Sequence, residues 1–584
     1  MIQKMVVLTV FVIASAATLF GDLPQIDYYA DTWPAVDALG RKLPDYAECG
    51  DPKPNRTVGI FYFLWLGNHG SYGPYDITEL LKAKPDAPQY GAPGQFHFWG
   101  KPELGYYTSD SDYAIITHAR QLSQAGVDVL IFDVTNAFTY HETYLKLCKL
   151  YMWIRQQGEP TPQICFVTHS ASKQTIEKLY DEFYSKNLYP ELWFQWKGKP
   201  LMLGDQADFP KLSPAVRDFF TLRHCWAWTA GKDTWNWVES WPQQYGWTES
   251  KDIPEELSVA VAQHPTTNIG RSHFNNKQPP INRYGLTRFT DKGPYFSQQI
   301  QRALEIAPEF AFITGWNEWV AQRFIKNPND GAGHMLGKPV QTGDTFFVDQ
   351  YNQEYSRDIE PMEGGHTDNY YYQMIGFIRK YKGVRPAPVA GPETTIAIDG
   401  RFDDWQAVTP DYADSRLDCM TRNEKGFGDA GPYINTTGRN NFLCLKVASD
   451  AQNLYFYARC EKPITPHTDP NWMLLFIDSD ENPDTGWEGY DYRLNGKVVD
   501  AASTTLQSAR PDGLWQDKTT VSYSVSGNEM ELRLPKDQIG LSGPKFTFQF
   551  HWADNIQKPG DILEFARSGD SAPERRFNYR YIRK

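Results

Sequence analysis

The chain has 584 residues and a mass of 67.0 kDa, too much for one ordinary hydrophobic core, so two or three domains are expected. A net charge of -13, a pI near 5.5 and the lack of a basic stripe interleaved with aromatics argue against nucleic acid as a partner. The 15% aromatic share, with 19 Trp and 34 Tyr, supplies flat amphipathic rings that can cover sugar faces, although such rings also fill large cores.

Met1 to Lys4, the apolar run Met5 to Phe20 and the small residues Ala14 to Ala17 before Gly21 form a secretory signal pattern over residues 1–21. A single membrane anchor is the alternative reading of that run. No Cys lies nearby to take a lipid, and no later stretch reaches membrane-spanning length, so the mature protein is expected to be secreted or periplasmic, without a membrane span. The seven cysteines show no metal-ligand spacing. Cys148, Cys165 and Cys225 read as buried free thiols, whereas Cys444 and Cys460, on successive strands, leave a pairing open.

After a lead-in over Asp22 to Asn55, the apolar run Thr57 to Trp65 reads as a strand buried on both faces. It ends in a polar and aromatic loop holding Trp65, Asn68 and His69, followed by an insertion with His97 and Trp99 that reads as a wall of a site. Ser109-Asp110 is expected to cap a helix to Gln124, and Val127 to Phe132 forms a second buried strand closing on Asp133. The alternation continues: helix Tyr140 to Gln156, strand Gln163 to Thr168 with His169 at its end, helix Ser172 to Lys186, strand Pro200 to Leu203 with Asp205, and helix Pro214 to Leu222. His224 to Trp228 and Ser258 to Ala262 are strand-like, and helix Phe296 to Ile306 precedes strand Phe310 to Ile313, with a closing helix over Asn369 to Tyr381. This pattern predicts a (β/α)8 TIM barrel spanning residues 22–382. A doubly wound open sheet is the weaker reading, because no Gly-rich phosphate loop follows the first strand. A Pro/Gly linker over 383–392 leads to a run of short strands between Thr395 and Trp552, which predicts an antiparallel β-sandwich over 393–584.

The chemistry is expected at the end of the late strand, where Trp316-Asn317-Glu318-Trp319 sets one carboxylate between two indoles. Active sites of such barrels sit at the C-terminal ends of their strands, and glycoside hydrolysis uses an acid with a second carboxylate. Glu318 is therefore the first catalytic candidate and Asp133 its partner, with Trp65, Trp99, Trp316 and Trp319 as sugar platforms and His69 and His169 as substrate hydrogen-bonding groups. No Gly-x-Ser-x-Gly elbow, His-Glu-x-x-His helix or phosphate loop appears, and no catalytic cofactor is called for.

These residues resemble the glycoside hydrolase family 99 endo-α-mannosidases and relatives such as family 71. The similarity rests on Tyr62, Trp65, Gly67 and Asn68; on Tyr106, Tyr107, Ser109 and Asp110 leading to Ala125, Gly126, Asp128 and Val129; on Pro200 to Asp205; and on Asn317, Glu318 and Trp319. It implies substrate-binding roles for Asn68, Asp205 and Asn317. Where that family continues as Asn-Glu-Trp-His-Glu, this chain has Ala321, so the second acid of the motif is missing. Three residues apart on a helical turn, those two acids would point the same way. The C-terminal region resembles family 9 carbohydrate-binding modules at Ile398 to Trp405, Asp450 to Tyr455 and Phe476 to Tyr492. Within the last of these, Asp478, Asp480, Asn482 and Asp484 alternate oxygen ligands at a spacing that suits a structural Ca2+. The expectation is a secreted glycoside hydrolase acting on a polysaccharide or glycan, including α-mannoside or α-glucoside linkages. The alternative is a glycan-binding protein with a degenerate barrel.

Overall fold

The computed structural model describes residues 27–329 and 333–584. The expected export signal lies outside the described residues. Eight strands run parallel: β1 (Thr57–Tyr62), β2 (Val129–Val134), β3 (Gln163–Thr168), β4 (Lys199–Gly204), β5 (Thr221–Cys225), β6 (Thr234–Trp235), β7 (Glu256–Ala260) and β8 (Phe310–Thr314). Their spatial order, β6-β5-β4-β3-β2-β1-β8-β7, is sequence order with one break, between β6 and β7. This is a nearly closed barrel and not a doubly wound sheet, whose order reverses near its middle. Side chains bridge the break: the Asn236 backbone N–H donates to Glu256 Oε2 at 3.0 Å, Trp235 Nε1 to Glu255 Oε2 at 3.2 Å, and Gln243 Nε2 to the Ser258 carbonyl at 3.1 Å.

The strands are apolar because both faces are covered, and their interior is packed with rings. Gly59 on β1 is required by that packing, since a Cβ there would fall 2.4 Å from Phe310 Cζ on the neighbouring β8. The helices α1 (Asp112–Ala125), α2 (His141–Gln156), α3 (Ser172–Leu179), α4 (Pro214–Phe219), α5 (Pro294–Ile306) and α6 (Asn369–Lys382) accompany the strands. The cap of α1 is Ser111, whose Oγ accepts from Ala114 N at 3.0 Å, and not the expected Ser109-Asp110. Ser109 Oγ accepts from Leu66 N at 3.0 Å and so fastens the loop after β1. α3 is shorter than expected, passing at Tyr180–Tyr184 into a π-helical turn.

Apart from short two-stranded pairs, the strands of the C-terminal half form one antiparallel sheet system. Phe442–Ser449, Asn453–Cys460, Glu529–Pro535, Trp515–Ser526, Ser503–Ala509, Tyr492–Leu494, Leu474–Asp478 and Phe546–Asp554 are neighbours in that order, and Tyr579–Arg583 pairs with the last. Thr395 to Ile398 is not a strand, and Ser503–Ala509, too polar to stand out in the sequence, is one. All seven thiols are free; the register sets Cys444 opposite Arg459 and Cys460 opposite Phe442, so those two cysteines do not face each other.

The barrel and the second sheet are joined. One apolar cluster contains Ile115 and Phe132 of the barrel together with Phe456 and Trp552 of the sheet. Trp33 in the lead-in meets Phe577 and Tyr579 edge-on, with ring centroids 5.7 and 5.4 Å away. Arg575 reaches Glu103 at 2.7 Å, and Arg576 reaches Asp368 at 2.9 Å. Among the described residues no helix is long and apolar enough to cross a membrane.

Candidate active site

Beyond Thr314 the chain turns across the C-terminal mouth of the barrel. Asn317 clips this turn to β1: its Oδ1 accepts from Phe63 N at 2.9 Å and its Nδ2 donates to the Phe63 carbonyl at 3.1 Å. The next residue, Glu318, is thereby aimed over the mouth. Its backbone N–H donates to Asp358 Oδ1 at 2.8 Å, and its carboxyl Oε2 accepts from Gln350 Nε2 at 2.7 Å and from the Arg357 guanidinium. Only 5% of the Glu318 side-chain surface stays open.

Burial pushes the Glu318 pKa well above the ordinary carboxylate range; Arg357 opposes that shift, while Asp349, Asp358 and Asp133 add to it. Four carboxyl groups and one guanidinium thus act on one another at this end of the barrel. Burial also raises Asp133, with Asp349 adding to it and hydrogen bonds from Thr135 and the charge of Arg357 opposing. Asp358, pushed up to about 6 by burial, is a positioning group: it is fully buried and accepts from Trp99 Nε1 at 3.2 Å as well as from the Glu318 amide.

Asp349 differs from the others. Its side chain keeps 44% of its surface open, yet surrounding protein still raises its pKa, with Arg357 opposing. A carboxyl that water reaches but protein surrounds stands in a cleft. Beside it, burial and the charge of Arg357 hold the His264 ring neutral, well below its usual pKa, and its Nδ1 lies 3.9 Å from Asp349 Oδ1. Asp133, only 8% exposed, accepts from Thr135 N at 3.0 Å and so shapes the turn after β2.

Glu318 and Asp133 lie at the same end of the barrel, close enough for the charge of Asp133 to act on Glu318. Trp65, Asn68 and His69 lie together after β1: Trp65 is half-buried and edge-on to His69, His69 Nε2 pairs with Tyr140 Oη at 2.8 Å, and Asn68 Nδ2 donates to the Leu64 carbonyl at 2.8 Å. On β3 to β5, His169 stacks on Trp226 at 3.5 Å with Asp205 acting on its charge. Trp99, Trp316 and Trp319 are not platforms: each is fully buried. Trp99 and Trp319 stack on each other at 4.3 Å, Trp319 Nε1 donates to Glu360 Oε2 at 2.5 Å, and Trp316 packs edge-on to His118. They form the floor that holds the Glu318 turn. Among the rings open at this rim are Trp65 and Trp226, both half-buried, the latter with His169 stacked on one face, and Trp228, 44% exposed. Asn317, committed to its clip and 1% exposed, has no group free for a ligand.

Ala321 has a different surrounding from the helical turn expected for a second acid. It lies in strand Val320–Gln322, opposite His97 of strand Phe96–Phe98, and packs with Ile77, Leu81, Phe347 and Tyr351. Residues three apart in such a path do not share a face.

Sequence reasoning missed Asp349, Gln350, Arg357 and Asp358. All belong to Asp349-Gln350-Tyr351-Asn352-Gln353-Glu354-Tyr355-Ser356-Arg357-Asp358, a charged stretch after the last barrel strand that is nonetheless buried almost throughout. Glu354 anchors it by accepting from Ser272 N and Gln278 Nε2, each at 2.8 Å, and from Thr290 Oγ1 at 2.6 Å. A cavity of about 350 Å3 lined by Trp241, Asn268, His273 and Tyr295 lies on the same face. A larger one, about 610 Å3, lies between the lead-in and the second sheet, so cavity size alone does not mark the chemistry.

In the second sheet Asp478 and Asp480 come together with Asp491. Asp484 is not in that group; its backbone N–H donates to Asn482 Oδ1 at 3.2 Å in a local turn.

No family model matches the chain, and no curated protein matches it. Two solved structures of the family 99 endo-α-mannosidase from Bacteroides thetaiotaomicron, one in complex with BIS-TRIS-propane, are similar at 16% and 17% identity. Both have a TM-score of 0.31 and cover 56% of this chain and 97% and 98% of their own. A glycoside hydrolase-like protein is similar at 13% identity and TM-score 0.31, covering 58% of this chain and 98% of its own. At this level of similarity the activity of those proteins does not transfer to this chain.

Proposed function

We propose that the protein is an exported glycoside hydrolase acting on a polysaccharide or glycan, with Glu318 as proton donor and Asp349 as the opposing carboxylate. The observation that carries this reading is geometric: a nearly buried Glu318 carboxyl, fixed by Gln350 and Arg357 at the barrel mouth, with the open Asp349 carboxyl among the charges that act on it, the division into a buried acid and an open carboxylate that glycoside hydrolysis requires. A protonated Glu318 donates to the leaving oxygen, while Asp349, open to the cleft, acts on the anomeric carbon or on a water. Asp133, the partner expected from the sequence, adds negative charge that favours the protonated form of Glu318. Arg357 and Gln350 fix the Glu318 carboxyl, and Trp226 and Trp228 offer open faces for sugar rings. α-Mannosides and α-glucosides are the linkages to try first. A structural Ca2+ belongs to this reading at Asp478, Asp480 and Asp491, where burial and mutual repulsion push Asp478 up to about 7.

The second reading, a glycan-binding protein, is favoured by one observation: position 321 is closed by apolar packing and holds no acid. Incubating the protein with α-mannan, α-glucans and N-glycans separates the two. Release of reducing ends, lost in Asp349→Asn, supports the enzyme; binding without release supports the other.

A further inference from the structure

A second acidic cluster lies away from the barrel mouth, at the seam with the second sheet. Asp414 and Asp418 come from the loop after Tyr412, and Asp570 opens the short strand Asp570–Ala572. One carboxylate oxygen from each lies within 4.8 Å of the others. Asp414 and Asp570 are each 3% exposed. Asp414 Oδ2, both oxygens of Asp418 and Asp570 Oδ1 are buried and have no hydrogen-bond partner, and the same holds for Oε2 of the adjacent Glu574. Ordinary folding does not leave five buried carboxylate oxygens unsatisfied.

The nearby charges do not balance them. Arg120 on α1 donates from Nη2 to Glu574 Oε1 at 2.9 Å and leaves Nε and Nη1 unpaired, while Arg567 and Arg575, which also line this side, are engaged by Glu103, so the four carboxyls are left with one guanidinium, that of Arg120. Of the other acids near the cluster, Glu159 is occupied by Ser415 and Arg416, and Asp554 by Arg439. A cavity of about 30 Å3, bounded by Asp418, Asp570, Glu574 and Arg120, opens beside them. That is room for a single small particle.

We propose that Asp414, Asp418 and Asp570 hold one Ca2+ that ties the loop after Tyr412 to the strand Asp570–Ala572. Hard oxygen donors suit a hard cation, and oxygens bound at roughly 2.4 Å span at most about 4.8 Å across the ion. Mg2+ demands shorter bonds and near-octahedral geometry, which three closely packed carboxylates with little room for water supply poorly.

The test uses the full chain stripped with a chelator and titrated with CaCl2 by calorimetry, with melting followed in parallel. Asp480→Asn/Asp491→Asn removes the other acidic cluster and is expected to keep one Ca2+ per chain and a Ca2+-dependent rise in Tm. Asp414→Asn/Asp418→Asn in that background is expected to bind at least roughly tenfold more weakly and to lose the Tm response. Absence of a Ca2+ event in Asp480→Asn/Asp491→Asn overturns the proposal without using any variant of the seam itself. Unchanged affinity in the fourfold variant overturns it as well.

Discussion

At the scale of single residues the account turns on who holds the proton. Glu318 donates only when protonated, and its raised pKa keeps it so to higher pH than an ordinary carboxyl; activity is lost as pH rises through that value. Asp349 works only as carboxylate, and because burial raises its pKa too, the acid limb also lies above the usual range. Arg357 lowers both. The pH-rate profile of Arg357→Met should therefore move to higher pH on both limbs, and an unmoved profile would remove Arg357 from the site. Glu318→Gln should cut the rate by about 100- to 10,000-fold, as expected for loss of a general acid. Asp349→Asn should do the same, and Asp133→Asn should mainly shift the profile, which steady-state kinetics across pH resolves.

At the scale of elements, the barrel strands were legible because a strand buried on both faces reads as an unbroken apolar run, as in Thr57 to Tyr62 and Gln163 to Thr168. β6 was not, being two residues long and held by side chains that cross the break in the barrel. Glu318 was legible from its flanking indoles, but their burial was not: a Trp beside a catalytic acid reads alike as platform or floor until packing is known. Asp349 to Asp358 escaped because a buried polar loop has no periodicity, and its satisfaction by Ser272, Gln278 and Thr290 comes from distant positions. The strand Val320–Gln322 supplies its own prediction. Ala321→Glu places a carboxyl among Ile77, Leu81, Phe347 and Tyr351, 1% exposed, so it should cost about 3 kcal/mol or more in denaturant unfolding and should not raise activity. A stable, more active variant would show that position 321 opens to the cleft.

At the scale of the molecule, barrel and sheet share an apolar cluster and buried ion pairs, so they should unfold together. Arg575 is 2% exposed and meets Glu103, itself nearly fully buried. Arg575→Ala leaves that carboxylate only Arg567, 3.6 Å away, and should cost about 3 kcal/mol while keeping one calorimetric transition. Two separate transitions in the parent protein would show that the halves are independent. The most direct test of the central claim is the release of reducing ends from α-mannan, α-glucans and N-glycans by the parent protein and by Glu318→Gln, at equal concentration and across pH. The account predicts release by the parent on one of these glycans and its loss in Glu318→Gln. Release undiminished in Glu318→Gln, or glycan binding without release by the parent, would contradict it.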